Sequence, residues 1–273
     1  VFLIYIIIFE IIISKTNNKN KMKYLTFLLI IIPAFCFSQG NSIQTSTGIP
    51  LSNIDFVTAA IQAELSPDDV LQELKAGNDR YKAGVPAVFN QRKASKIASI
   101  DGQFPYAMII NCIDSRSVPE IIFNQPVGAM FVSRTAAPVV GPVTIGGMEF
   151  ASVHSGTKLI LVMGHSQCGA IIGACAGVDT PSNLDHLLQK IQPAVKQTAM
   201  DNNDPLDCDD YQVIDQIARI NVLNQMQAIY DQSPALSDLA AQGSIRIVGA
   251  MHNINTGNVT FFDKNGSPLS LND

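Results

Sequence analysis

The sequence predicts an α/β fold, a single domain whose mostly parallel sheet of four to five strands is flanked by helices. Three observations predict it. Short apolar runs recur at residues 106–111, 129–133, 158–163 and 245–251. Segments of helical periodicity lie between them, the pattern of a parallel sheet covered on both faces. No internal repeat or composition shift marks a second domain.

The elements follow in order. Residue 1 is Val and the first Met is Met22, so residues 1–21 read as an extension upstream of the natural start. The apolar stretch 1–14 is interrupted by Glu10 and is too short to span a bilayer comfortably. From Met22, Lys23 gives a basic start and residues 25–35 an apolar run of eleven. Cys36-Phe37-Ser38 then places small residues at minus three and minus one before Gln39. Residues 22–38 are therefore expected to be a signal peptide cleaved after Ser38. The protein is expected to be periplasmic or secreted, with no stable membrane insertion after cleavage. A lipid anchor on Cys36 is disfavoured by bulky Phe35 where a small residue belongs.

Cleavage removes four lysines and one glutamate, so 18 basic and 23 acidic residues become 14 and 22, a net charge of −8. That argues against nucleic acid or an anionic membrane as partner. About 235 residues remain, enough for one domain with a substantial core. Residues 39–52 are rich in Ser, Thr and Gly and read as a flexible lead-in to a domain over 53–273.

That domain opens with a helix over 53–64. Ser66-Pro67-Asp68-Asp69 is a second helix start, with Ser as cap, Pro at the first position and acids in the first turn. Val70, Leu71, Leu74 and Tyr81 form its apolar stripe and Gly84 ends it. Residues 85–104 carry little periodicity and read as a surface connection. Further helices fall near 118–123, 144–154, 169–176, 182–200 and 210–230. An antiparallel edge strand over 258–262 follows the turn Asn255-Thr256-Gly257. Gly128, Gly146 and Gly147 read as turn or packing glycines, since no phosphate-cradling Gly-x-Gly-x-x-Gly is present. Cys175 and Cys208 could pair in an oxidising compartment. No spacing rule supports that, and they read as two unrelated buried thiols.

The chemistry lies in two strings, Cys112-Ile113-Asp114-Ser115-Arg116 and His165-Ser166-Gln167-Cys168. Cys112 and His165 each follow a predicted strand, where ligands bind in open α/β sheets. Cys168 opens a helix, whose N-terminus favours a thiolate. Two sulfurs and an imidazole select zinc over calcium, magnesium or manganese. The fourth position is left to Asp114, which closes a structural site, or to water, which leaves a catalytic one. Metal-bound water has its pKa lowered to about 7. Arg116 can draw Asp114 off the metal as an ion pair, free to accept a hydrogen bond from hydroxide; a broken pair lets Asp114 swing onto zinc. His154, His186 and His252 lack partners at ligand spacing and read as surface or satisfied histidines.

These residues resemble the β-class carbonic anhydrases from about Ser66 to Val259. The likeness includes Leu71-x-x-Leu74-x-x-Gly77-Asn78-x-Arg80-Tyr81, both zinc strings, Gly147-Met148-Glu149-Phe150-Ala151, Ile191-x-Pro193-Ala194, Asn221-Val222 and Gly249 with Thr256-Gly257. The resemblance implies a four-stranded parallel sheet with a fifth strand, and reversible hydration of carbon dioxide to bicarbonate and a proton. It implies one Zn2+ per chain on Cys112, His165 and Cys168, gated by Asp114 and Arg116. Gln103, Phe131, Phe150 and Gly169 match substrate-contacting positions. The unit implied is a dimer or tetramer. The chain departs from the family's Gly-Asp-x-Phe-Val-x-Arg-Asn-Ala-Gly-Asn at Gly128 to Pro138, with Ala129, Thr135 and Ala137 in place of Asp, Asn and Gly. Two competing expectations are a same-fold hydrolase of carbonyl sulfide or carbon disulfide, and a catalytically silent, zinc-stabilised binding protein.

Overall fold

The computed structural model describes residues 43–178, 182–202 and 205–269. The expected upstream extension and signal peptide, residues 1–38, lie outside the described residues, as does the start of the lead-in. Among the described residues no helix is long and apolar enough to cross a membrane.

After a 3-10 turn at Leu51–Asn53 come α1 (Ala59–Glu64), α2 (Pro67–Lys82) and α3 (Gln91–Asp101). Next are β1 (Ala107–Cys112), α4 (Pro119–Ile122), β2 (Met130–Thr135) and α5 (Pro142–Glu149), which runs into a π turn at Phe150–His154. Then β3 (Leu159–His165), α6 (Gly169–Cys175), α7 (Asn183–Gln189), α8 (Gln192–Asn202), α9 (Tyr211–Gln232) and α10 (Pro234–Ala241) lead to β4 (Arg246–His252) and β5 (Val259–Phe262).

The strands form one sheet in the order β2-β1-β3-β4-β5, parallel except for antiparallel β5. The predicted fold class holds. Strand side chains alternate between two cores, as period two requires. Ala107, Ile109, Leu159, Leu161 and Met163 face Val70, Leu71 and Leu74 of α2. Met108, Ile110, Ile160 and Val162 face Met148 of α5, Val222 and Met226 of α9 and Leu236 of α10. A third cluster lies at the C-terminal ends of β1 and β3, where Cys112 and Cys168 join Ile171, Ala174, Leu188, Ile214 and Ile217.

α2 starts as its sequence predicts, with Ser66 and Asp69 capping each other's backbone. Gly77 in this helix has a steric cause, because a Cβ there would run into the Phe123 carbonyl oxygen. Asn78 then ties the helix to both neighbours, donating to the Ile122 and Gly257 carbonyls and accepting from Val259 N–H.

Four expectations need correction. Residues 85–104 are not wholly a connection, because Asn90 caps α3 through Lys93 N–H. The expected helix over 182–200 is two helices, divided at Lys190 and Ile191 just before Pro193 in the first turn of α8. α10 was not expected; Ser233 caps it and Pro234 opens it. Finally, Cys175 and Cys208 are bonded to each other, 33 residues apart. The bridge ties the end of α6 to the segment before α9 and encloses α7 and α8. Closing such a loop is worth about 3–4 kcal/mol on chain-entropy grounds.

Candidate metal centre

β1 ends at Cys112 and β3 at His165, and the strands are hydrogen-bonded neighbours, so both residues lie at the same end of the sheet. The chain leaves His165, turns through Ser166 and Gln167, and enters α6 with Cys168 as its N-cap residue. The Cys112, His165 and Cys168 ligand atoms all lie within 4.8 Å of one another. The two sulfurs are 4.0 Å apart. The residues are 4, 0 and 2 % exposed respectively, so the cluster is buried.

The donors fit zinc. The His165 Nδ1–H donates to the Ser166 carbonyl at 2.9 Å, which leaves a lone pair on Nε2. That Nε2 is buried and has no hydrogen-bond partner among the described residues. A buried, unpaired nitrogen facing two sulfurs is costly unless a cation completes it. Two thiolates and an imidazole are a soft set suited to zinc in tetrahedral coordination. The hydrogen bond from Cys168 pulls the Cys112 thiol down to about 4. Cys168 is pushed upward by its contact with Cys112 and by burial. Burial is the largest influence on His165 and opposes its protonation, but the Cys112 sulfur, the Ser166 carbonyl and Asp114 together outweigh it and raise its pKa.

Of the two arrangements expected for Asp114, on the metal or paired with Arg116, the second is seen. Asp114 is turned to Arg116, which donates through Nε to Oδ1 at 2.9 Å and through Nη2 to Oδ2 at 2.7 Å. The Arg116 backbone N–H adds a third bond to Oδ1, also at 2.9 Å. These bonds hold the carboxyl well below the usual carboxylate range. Oδ2 stands 3.9 Å from His165 Nε2, beside the cluster.

Of the other expected site residues, Phe131 and Phe150 meet edge-on with ring centroids 6.2 Å apart. Phe150 lies in the π turn and is 56 % exposed. Gln103 and Gly169 are exposed, the first on the approach to β1 and the second beside Cys168 at the start of α6. His154 and His186 are on the surface, as expected. His252 corrects its reading, being buried and only half satisfied. Its Nδ1 shares a 3.2 Å hydrogen bond with Ser117 Oγ, while Nε2 has no partner among the described residues. Burial and the charge of His165 push it down to about 4.

Two supports were missed by motif reading. Arg134 reaches from β2 to donate to the Cys112 carbonyl at 2.8 Å and the Asp114 carbonyl at 2.6 Å, holding the loop that carries the dyad. Its signal was an arginine just past the apolar run Met130-Phe131-Val132. Ala137 N–H donates to Cys112 Sγ at 3.3 Å from a left-handed backbone, φ +57°. The Thr135 hydroxyl braces that turn by donating to the Ala137 carbonyl at 2.6 Å. Thr135 and Ala137 are two of the departures from the family pattern, and here they act together.

A parallel sheet with a buried Cys-His-Cys centre at the C-terminal ends of adjacent strands defines a metal-dependent α/β enzyme. The carbonic anhydrase family model matches residues 107–259. Carbonic anhydrase 2 of Mycobacterium tuberculosis is 31% identical over 206 residues, covering 74% of this chain and 96% of that protein. Among solved structures, the β-carbonic anhydrase CcaA aligns with TM-score 0.58 at 25% identity, over 74% of this chain and 92% of its own. A tetrameric β-carbonic anhydrase of Sordaria macrospora aligns with TM-score 0.56 at 26% identity, over 64% and 87%. This chain belongs to the β-carbonic anhydrase family.

Proposed function

We propose that this protein is a zinc carbonic anhydrase, interconverting carbon dioxide and water with bicarbonate and a proton. One observation carries the reading: a buried Cys112–His165–Cys168 trio with an ionised Asp114 held beside it, not on it. Cys112 Sγ, His165 Nε2 and Cys168 Sγ would hold one Zn2+ per chain. Bound there, zinc supplies the Lewis acidity that makes water a nucleophile near neutral pH. Arg116 keeps Asp114 charged and directed, so that Oδ2 can accept a hydrogen bond from the attacking water and orient its lone pair. Phe131 and Phe150 offer an apolar wall to an apolar substrate. By family likeness, Gln103 and Gly169 contribute polar and backbone contacts to it.

The test is stopped-flow carbon dioxide hydration at pH 7.0 and 8.5, with zinc measured on the same sample. The expected result is one zinc per chain and hydration above background that is faster at pH 8.5. Full zinc occupancy with no hydration at pH 8.5 overturns the reading. Sulfide release from carbonyl sulfide outpacing hydration would redirect it to that substrate.

We also propose that the enzyme works outside the cytoplasm as a homo-oligomer. The signal-like residues 22–38 and the Cys175–Cys208 bridge support the first part, since disulfides persist in oxidising compartments. The second is supported by the tetrameric Sordaria relatives and by β2, an edge strand mostly half-buried within one chain. Fractionation of the native host with N-terminal sequencing tests the first, expecting Gln39. Light scattering on the purified protein tests the second.

A further inference from the structure

Only Ser166 and Gln167 separate the ligands His165 and Cys168. Both are pinned, by different means. Ser166 is held by the sheet: its N–H donates to the His252 carbonyl at 2.9 Å, and its hydroxyl accepts from Ile254 N–H at 3.1 Å. Gln167 makes the turn itself, with φ +55°, a left-handed conformation that residues with a Cβ avoid. Its N–H donates to Asp215 Oδ1 at 2.8 Å.

Asp215 lies 48 residues away on α9, outside both zinc strings. Its helix neighbours Ile214 and Ile217 are fully buried in the cluster that contains Cys112, Cys168 and Ile171. That packing fixes the carboxylate's origin against α6. A charged acceptor on a rigid helix therefore meets the one backbone N–H whose conformation the local sequence disfavours.

We infer that Asp215 is a positioning residue for the metal centre, locking Gln167 in the left-handed turn that sets His165 Nε2 against Cys168 Sγ. The inference rests on reading Cys112, His165 and Cys168 as a metal centre. Asp215 acts through the Gln167 backbone, and its effect therefore falls on metal affinity. Partners that orient ligands in this way are worth about 10–100-fold in affinity.

The experiment is zinc competition against a chromophoric chelator on the purified protein, comparing wild type, Asp215→Ala, Asp215→Asn and Asp215→Ala with Gln167→Gly. Asp215→Ala is expected to bind zinc about 10–100-fold more weakly. Asp215→Asn keeps an oxygen acceptor in place and is expected to stay within about threefold. Gln167→Gly is expected to recover most of the loss in the Asp215→Ala background, because glycine adopts the turn unaided.

Wild-type affinity in Asp215→Ala overturns the inference. So does a loss that Gln167→Gly does not recover, which would mark Asp215 as a general packing residue. Failure of the wild type to hold zinc overturns the metal-centre reading instead. Should Asp215→Ala not fold, Asp215→Asn decides, and a tenfold loss there overturns the role.

Discussion

The two ligand-bearing loops are built by different physics. The Cys112 loop stands beside an edge strand and is held by charged side chains. Arg134 grips its backbone from β2, Arg116 folds back onto Asp114, and Ala137 N–H caps the Cys112 sulfur. The His165–Cys168 loop lies between β3 and a buried helix, and is held through its own backbone, by the sheet and by the single carboxylate of Asp215. β3 pairs with β4 as far as His165 and His252, Ser166 extends that pairing, and α6 sits on the disulfide-tied layer. The loop that holds the acid–base pair can rearrange through side-chain rotamers, whereas the loop with two ligands can move only with its backbone. On the proposed carbonic anhydrase reading, we assign gating to the first loop and metal retention to the second.

The largest effect that tests this contrast is Cys168→Ser. It removes a thiolate from the rigid loop and is expected to lose zinc and much of the stability together, because metal binding and folding are coupled. Zinc content and a thermal melt on one sample measure both. A variant that keeps zinc and its melting temperature would remove retention from that loop.

Asp114→Ala is next. It should keep zinc on the remaining three ligands and lose hydration by about 100-fold or more. The sign of the pH effect follows from the pairing with Arg116. Asp114 is depressed in the folded state, so the ion pair stabilises above the unfolded carboxylate value of about 4 and fades as pH falls toward the lower folded value. Arg116→Ala should therefore be less stable than wild type at pH 7, with the gap closing below about pH 4. A pH-independent gap, read by denaturant melts, would assign Arg116 a packing role. Since Asp114 stays ionised through pH 7–8.5, a rise in hydration across that range cannot come from its own titration.

The disulfide sharpens the second loop's account. Reducing Cys175–Cys208 should cost roughly 3 kcal/mol and lower the melting temperature by about 6–12 °C for a chain of this size. It should leave carbon dioxide hydration at 25 °C nearly unchanged. Loss of zinc on mild reduction would show that the α7–α8 layer, not β4 pairing, holds Cys168.

How much of this was legible in the sequence differs by element. The three inner strands were, because 106–111, 158–163 and 245–251 are largely apolar runs of a sheet covered on both faces. α3 was not, since it buries only Ala94 and shows no stripe to read. The ligands were legible because two of them sit three residues apart and the third ends a strand. Their braces were not. Asp215, Arg134 and Thr135 reach the site from α9 and β2 across distances that spacing does not encode. The Cys175–Cys208 pair was illegible for the same reason, because only the folded path of α7 and α8 brings its ends together.

Ala137→Gly carries the smallest expected effect and tests the edge-strand loop most finely. Ala137 is fully buried at φ +57°, a conformation that costs an L-residue about 1–2 kcal/mol. Glycine relieves that strain but forfeits about 0.8 kcal/mol of methyl burial and about 0.4–1 kcal/mol in unfolded-chain freedom. The net expectation is a change within about 1 kcal/mol of zero, with zinc affinity unchanged because Ala137 reaches Cys112 through its backbone N–H. The Thr135 brace should then matter less. Thr135→Ala is expected to cost about 1 kcal/mol in the wild type, and clearly less once position 137 no longer needs holding. A double-mutant cycle by denaturant melt measures that coupling. Additive effects would mean that the Thr135 hydroxyl only satisfies a carbonyl, and that the left-handed turn above Cys112 is set by the Pro138 and Val139 segment instead.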